Sequence, residues 1–428
     1  MEKKNVVILG AGFGGLRAAM DIARELGRLK LLDRYAVTLI DRNDCHIFIP
    51  LLYKVAARPE PENVNSCSYD IATLLKGMPI TFVQGEIVSP DVAGGVIALK
   101  DGRTIHADYL VIALGSETNY FGIPGLKEHS LQLKTLESAV EIRAAVSAAF
   151  AKGGDVRIVA GGGGPNGIEL AAELRLWANK EEKKNPALHV TVSIVEAMPT
   201  ILPGFAPRVI AIAMERLARL KIPVMTNMKI ESVSENTITI GAPAAAAGAP
   251  PLPPPAPIPF DILIWTGGTK TPDLLTAVPL SKDKRGKPMA ESDMVCLPGT
   301  PDLKFAPMVY AIGDNVCFMD PKTQRPVPAV AHVAILEGAI AAHNLVEEIK
   351  KAEADIAGNG HAYSPRNKTY VPAEYPYVIP IGERWAAAKF GPFIFSGWPG
   401  WEFSRLVEFN YLLMIMSPWK AFKAWQRM

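Results

Sequence analysis

Val6-Val7-Ile8-Leu9-Gly10-Ala11-Gly12-Phe13-Gly14-Gly15, with Val37-Thr38-Leu39-Ile40-Asp41 a helix's length further on, is the stretch whose reading decides the fold. A short apolar run enters a G-x-G-x-x-G turn, and a second apolar run ends in an acid. Each part has a mechanical task. Gly10 permits the tight turn, Gly12 lets backbone approach a pyrophosphate, and Gly15 lets the next helix pack on its strand with its N-terminus toward the anion. Asp41 is expected to hydrogen-bond a ribose diol. The interval from turn to acid exceeds the usual ~20 residues, a surplus carried by the polar extension Gly27 to Arg34.

The pattern recurs. Val156-Arg157-Ile158-Val159-Ala160 leads to Gly162-Gly163-Gly164-Pro165-Asn166-Gly167, and Ile168 to Trp177 has helical apolar periodicity. After the polar patch Asn179 to Asn185, the run Val190 to Val195 ends in Glu196. Two complete units point to two bound dinucleotides, and the simplest chemistry using both is hydride transfer from a nicotinamide to a flavin. A carboxylate at the ribose accepts from a 2′-hydroxyl and repels a 2′-phosphate. With no arginine beside Glu196, NADH is the expected donor. Glu169, two residues past Gly167, reads as an acid on the helix's cofactor-facing first turn. The macrodipole alone favours an acid there.

Length and composition bound the rest. A chain of 428 residues with 49 % apolar content suggests two or three domains. Its 45 basic and 43 acidic residues leave a net charge of +2, without the basic footprint of a nucleic-acid partner. Cys45, Cys67, Cys296 and Cys317 form no C-x-x-C and no metal-like pair with histidine, so no metal site is expected. They read as reduced packing residues of a cytosolic chain. The strand beginning by Val6 leaves no room for a signal peptide, which places the chain on the cytoplasmic side.

Arg42 to Tyr53 reads as a loop around a satisfied His46, or as a segment passing along the flat face of a cofactor. Residues 80–112 are β-rich, and Tyr109 to Ala113 runs into Leu114-Gly115-Ser116. That glycine turn lies at a strand's carboxyl end, where open α/β sheets place ligands. Residues 136–152 read as a helix. The Pro/Ala-rich segment 241–259 reads as a semi-rigid exposed loop between two strands. Ile262 to Trp265 then ends in Thr266-Gly267-Gly268. Val309 to Ile312 ends in Gly313-Asp314, an acid placed for a flavin's ribityl hydroxyl. The helix expected over Ala331 to Ile349 would aim its free N–H groups at the flavin ring. His332, in its first turn, reads equally as a surface histidine or an acceptor-site residue.

The tail from Gly382 holds five of the seven tryptophans and no acid after Glu408. No apolar run reaches the ~18 residues of a spanning helix. After Pro418, Trp419, Phe422 and Trp425 recur every three residues beside Lys420, Lys423 and Arg427, a pattern suited to a helix lying in a membrane interface. A homodimer surface is the alternative.

The Gly10-to-Asp41 fingerprint, Pro50-Leu51-Leu52-Tyr53-Lys54-Val55-Ala56, Ala113-Leu114-Gly115-Ser116, Gly164 to Leu170, Ile264 to Gly268 and Ala311 to Asp314 together resemble type II, non-proton-pumping NADH:quinone oxidoreductases. The resemblance implies an α/β fold of two Rossmann-like dinucleotide-binding domains, the NADH domain inserted in the FAD domain, with a C-terminal amphipathic helical membrane anchor. FAD would take residues 1–120 and 290–380, NADH residues 150–270, and the anchor 381–428. It implies FAD at Gly10, Gly12, Phe13, Gly14, Gly15, Asp41, Arg42, Pro50, Gly115, Gly313, Asp314 and Ala331. NADH would lie at Gly162, Gly164, Asn166, Gly167, Glu196, Gly267 and Gly268. The acceptor would be a membrane quinone. Glu169 would lie near the nicotinamide and quinone end of the flavin, with a proton-handling or orienting role.

One departure is plain. The family usually shows Ala-Gln-x-x-x-Gln where this chain has Ala331-His332-Val333-Ala334-Ile335-Leu336, so two amides are missing; His332 could donate to a quinone oxygen in their place, and a different acceptor stays open. The nearest rival is a sulfide:quinone oxidoreductase, which needs two sulfur-carrying cysteines beside the flavin. Cys45 and Cys317 lie near strand ends without a nucleophile's surroundings. A non-enzymatic NADH-binding flavoprotein that signals through the proline-rich loop is the remaining alternative.

Overall fold

The computed structural model describes residues 3–59, 66–241, 255–300, 308–358 and 363–428. Apolar runs alternating with helical segments build two parallel sheets, one in each of two compact units. The first unit takes residues 1–46, 69–117 and 270–373, and the second takes 47–68, 118–269 and 374–428.

The first unit's sheet runs Met308–Ala311, Tyr109–Ile112, Lys4–Leu9, Tyr35–Asp41, Thr81–Gln84, all parallel. Val6 to Leu9 are fully buried, as a strand covered on both faces requires. Beside the sheet, the helices Phe13–Arg28 and Ala331–Ile356 approach through two glycines. A β-carbon on Gly338 would stand 2.5 Å from the Gly14 carbonyl oxygen, and one on Gly14 would stand 2.9 Å from that of Ala334. An antiparallel meander of Ile87–Asp91, Val96–Leu99 and Thr104–His106 sends Ile97 and Leu99 into the same core as Leu110 and Val309.

The second unit repeats this plan. Its parallel sheet runs Leu131–Gln132, Ile262–Trp265, Gly154–Gly161, Leu188–Val195, Val224–Met225. Place for place, the strands leading into Gly10, Asp41 and Gly115 in one sheet match those leading into Gly162, Glu196 and Gly267 in the other, while the edge strand before Gly313-Asp314 faces a counterpart, Leu131–Gln132, without such a turn. A second meander, Ile230–Val233, Thr237–Ile240 and Ile258–Pro259, stands where the first unit has its own.

Several expectations shift. Residues 47–68, expected inside the first domain, group with the second unit, and the second portion of the first unit begins at residue 270. The tail, expected as helices from residue 381, also groups with the second unit and begins as an antiparallel sheet of Tyr377–Pro380, Ala386–Phe390 and Phe393–Gly397. Only then come the helices Trp398–Ile415 and Pro418–Trp425. Ala386, Ala387 and Ala388 are fully buried, and a β-carbon on Gly400 would stand 2.4 Å from the Ala386 carbonyl oxygen. Close helix packing, not β-propensity, makes that alanine run a strand.

Of the Pro/Ala-rich segment, residues 242–254 lie outside the described residues. Its end, Ile258–Pro259, pairs with Thr237 and Ile238, where loop was expected throughout. Pro259 is tolerated because its strand lies at the sheet's edge, where no partner needs an N–H on the outer side. The helix Pro165–Lys184 continues through the polar patch beyond Trp177, and Ala331–Ile356 continues beyond Ile349. Among the described residues no helix is long and apolar enough to cross a membrane.

Candidate functional site

In the first unit the Gly10 turn closes Lys4–Leu9 onto Phe13–Arg28. Gly10 has φ +99°, and a β-carbon there would stand 2.4 Å from the Ala113 carbonyl oxygen. Gly15 is tighter still, with its missing β-carbon 1.9 Å from the Gly10 oxygen. At Gly12 an added carbon would meet nothing within 4 Å, so the turn opens there. Gly12 caps the helix without a side-chain hydrogen bond, leaving its N–H groups for an anion. The Asp41 carboxylate accepts from the Ala11 N–H at 2.7 Å and from the Asn43 N–H at 2.8 Å. It therefore shapes the turn.

His46 is buried, with Nδ1 2.8 Å from the Ala11 carbonyl oxygen and the Phe13 ring edge-on at 5.3 Å. Burial pushes its pKa down to about 4, so the ring stays neutral, which is the satisfied reading. Arg42 is exposed, and so is Pro50, the second residue of the 3₁₀ turn Ile49–Leu51 in the second unit. Gly14 is committed to the helix contact described above.

Two further strand ends complete this cradle. Gly115 donates its N–H to Asn315 Oδ1 at 3.1 Å, and Ser116 donates its hydroxyl to Asp314 Oδ2 at 2.8 Å. Lys287 donates to the Asp314 carbonyl oxygen at 2.8 Å. The Gly313 N–H donates to Glu337 Oε2 at 2.6 Å. Glu337 lies on the Ala331–Ile356 helix at the edge of a small pocket with Asp314 and Val333, and burial raises its pKa to about 7. Val330 caps that helix without a side-chain bond, so the N–H groups at Ala331 are open. His332 is largely exposed on its first turn, and desolvation of its ring lowers its pKa.

The second unit repeats the turn. Gly162 has φ +113° and faces Gly267, whose Cα would be 2.8 Å from an added carbon. The missing β-carbon of Gly167 would be 2.0 Å from the Gly162 oxygen, while Gly164 opens on empty space. Glu196 accepts from the Gly163 N–H at 2.6 Å and from the Met198 N–H at 2.7 Å. That is the Asp41 arrangement over again. Asn166 is exposed beside the turn, and Gly268 lies under Phe121, an exposed aromatic held at φ 52°. Both turns fit a dinucleotide: each is open at the glycine expected beside the pyrophosphate, and neither helix N-terminus is closed by a side chain.

Glu169 corrects one reading. It lies one turn further into Pro165–Lys184 than the first turn and is buried, so the macrodipole of the opening turn does not account for it. Burial first, then Glu408 and Glu173, raise its pKa well above the usual carboxyl value against the pull of Lys54.

Sequence reasoning missed Ser116, Lys287, Asn315 and Glu337 in the first unit and Lys54, Glu173 and Glu408 in the second. Glu337, Lys54 and Glu408 shared a visible signal, a lone charge inside an apolar run. Among the described residues the four cysteines form no disulfide. Burial raises Cys296 to about 12 and Cys67 to about 11, and Cys317 is raised by burial and by Asp283. Those values suit packing, not sulfur transfer.

A type II NADH:quinone oxidoreductase of Staphylococcus haemolyticus is 25 % identical over 347 residues, spanning 79 % of this chain and 80 % of that one. The structure of NDH2 from Plasmodium falciparum in complex with NADH superposes with a TM-score of 0.79 at 19 % identity, covering 99 % of this chain and 97 % of that one. The sulfide:quinone oxidoreductase of Aquifex aeolicus does so with a TM-score of 0.73 at 19 % identity, covering 98 % and 92 %. The model of the pyridine nucleotide-disulphide oxidoreductase family matches residues 4–338. With both glycine turns and their carboxylates inside the matched span, the chain belongs to the pyridine nucleotide-disulphide oxidoreductase family.

Proposed function

We propose that this chain is a membrane-associated type II NADH:quinone oxidoreductase, moving a hydride from NADH to FAD and two electrons onward to a quinone without pumping protons. The observation that carries the reading is the doubled glycine turn, each copy held by its own carboxylate and open at its second glycine. FAD is assigned to the first unit, with the Gly10 turn for its pyrophosphate, Asp41 for its ribose and Asp314 for its ribityl chain. NADH is assigned to the Gly162 turn, with Glu196 at its ribose. Bound FAD supplies the two-electron chemistry that links a hydride donor to a quinone. The chain's own residues bind, orient and manage the proton. NADH + H⁺ + quinone gives NAD⁺ + quinol, so one proton comes from water. Glu169, buried and with its carboxyl pKa raised well above the usual value by that burial, is assigned to handle it.

The exposed side chains Trp398, Leu406, Leu413, Trp419 and Phe422 support a peripheral anchor, with Lys423 over the Trp419 ring at 5.0 Å. A membrane on the cytoplasmic side is their assigned cover, and a second copy of the chain is the other cover they fit.

The test is anaerobic. The purified protein should be yellow, bleach on NADH, and recover its colour on a soluble quinone. Bleaching by sulfide alone would move the assignment to sulfur chemistry, and bleaching by NADH without recovery would remove the quinone.

A further inference from the structure

Three elements of the second unit bring a set of titratable side chains together: Tyr53, Lys54 and Arg58, then Glu169 and Glu173 on Pro165–Lys184, then Arg405 and Glu408 on Trp398–Ile415. Lys54, Glu169, Glu173 and Glu408 are all more than nine-tenths buried. The charges are paired unevenly. Arg58 donates to both Glu173 oxygens at 3.3 Å. Lys54 lies 3.8 Å from one Glu408 oxygen and also donates to the Met428 carbonyl oxygen at 3.4 Å, while Arg405 lies 3.5 Å from the other Glu408 oxygen. Arg405 is itself fixed, donating to the Trp425 carbonyl oxygen at 2.7 Å with its guanidinium 4.7 Å from the Trp425 ring. Glu169 has neither an ion pair nor a hydrogen bond from another described residue.

The three cations and three carboxylates would balance, yet the pairing leaves Glu169 out. Lys54 is the cation that acts on it, and Glu408 has engaged Lys54 from the tail. We propose that Glu408 is a positioning residue for Glu169: by engaging Lys54 it withholds that cation from the buried Glu169 carboxyl. The tail helix thereby sets the state of a proton carrier on a different helix. This rests on the reading of Glu169 as the proton-handling group.

The physics fixes opposite signs for two substitutions. Neutralising Glu408 removes a like charge and frees Lys54 for Glu169, and an unopposed cation within reach shifts a carboxyl by about 1–3 pH units. Removing Lys54 withdraws the favourable cation and acts the other way. A purely structural role for either residue predicts no such reversal.

The experiment is an infrared pH titration of the FAD-loaded full-length enzyme, following the protonated-carboxyl band that Glu169→Gln abolishes. In Glu408→Gln that band should vanish at least about one pH unit lower than in the unsubstituted protein. Lys54→Met should retain it to higher pH, Glu408→Asp should restore the midpoint toward its original value, and Glu402→Gln on the same helix should leave it in place. The alkaline limb of quinone-dependent recovery should follow the band, while bleaching by NADH stays unchanged. An unmoved band in folded Glu408→Gln overturns the proposal, as do shifts of the same sign in Glu408→Gln and Lys54→Met, or the absence of any band sensitive to Glu169→Gln. If the band moves as expected but Glu169→Gln turns over quinone normally, the charge coupling stands and the proton-handling reading fails.

Discussion

Burial, at 2 % exposure, raises the Glu337 pKa to about 7, with the like charge of Asp314 adding to it and the Gly313 N–H and Lys287 opposing it. In the unfolded chain the same carboxyl ionises near its ordinary value of 4.5. The folded form therefore binds more protons between those limits, and stability from this residue is full below about pH 4.5 and lost as pH rises through 7. The difference amounts to about 3 kcal/mol. Glu337→Gln, which keeps an acceptor for Gly313, should flatten that part of the stability curve, read as melting temperature from pH 5 to 8. An unchanged slope would place the titration elsewhere. At the second turn, Glu196→Gln turns an N–H donor toward a backbone N–H, and a buried donor left unmatched costs about 1–3 kcal/mol. NADH should bind roughly tenfold or more weakly, by the same arithmetic. The NADPH-to-NADH ratio of kcat/KM should rise as the repelling charge disappears. A constant ratio would remove Glu196 from the ribose.

At the scale of elements, the last helix shows where a pattern misleads. Trp419, Phe422 and Trp425 recur every three residues, the pattern read as an interfacial helix, but six residues of helix turn Trp425 some 120° from Trp419. Trp425 donates its indole N–H to the Arg405 carbonyl oxygen at 2.7 Å and ties the helix down, while Trp419 is 66 % exposed and Phe422 38 %. The interfacial load thus falls on two rings of the three. Burying an aromatic side chain is worth about 1.5–3 kcal/mol, so Trp419→Ser with Phe422→Ser should lower partition onto anionic vesicles by about a hundredfold, measured by flotation. Bleaching by NADH in solution should be unaffected. If partition persists while sedimentation shows a dimer falling apart, a second copy covers those rings.

For the whole molecule, what could be read in advance followed from local rules. A glycine turn between an apolar strand and a helix is specified within one stretch, so both dinucleotide units and their acids were legible. The tail strands and the grouping of residues 47–68 were not, because contacts with distant segments decide them. Nor were the partners of Glu337 and Glu408, since a lone charge in an apolar run announces itself without saying which helix will face it. The doubling of the sheet order went unread for the same reason: strands that neighbour in space are far apart along the chain.

That interleaving bears on how the protein is made. The chain passes between its units after residues 46, 68, 117, 269 and 373, and Gly115 meets an Asn315 that lies 200 residues later. Tyr109–Ile112 must wait on the ribosome for its edge partner Met308–Ala311, with an unpaired parallel edge meanwhile. Long-range pairing of this kind is slow, and an unpaired edge invites association with other chains. Neither half can mature as a separate piece during synthesis, so correct assembly is a late event that depends on nearly the entire polypeptide having emerged.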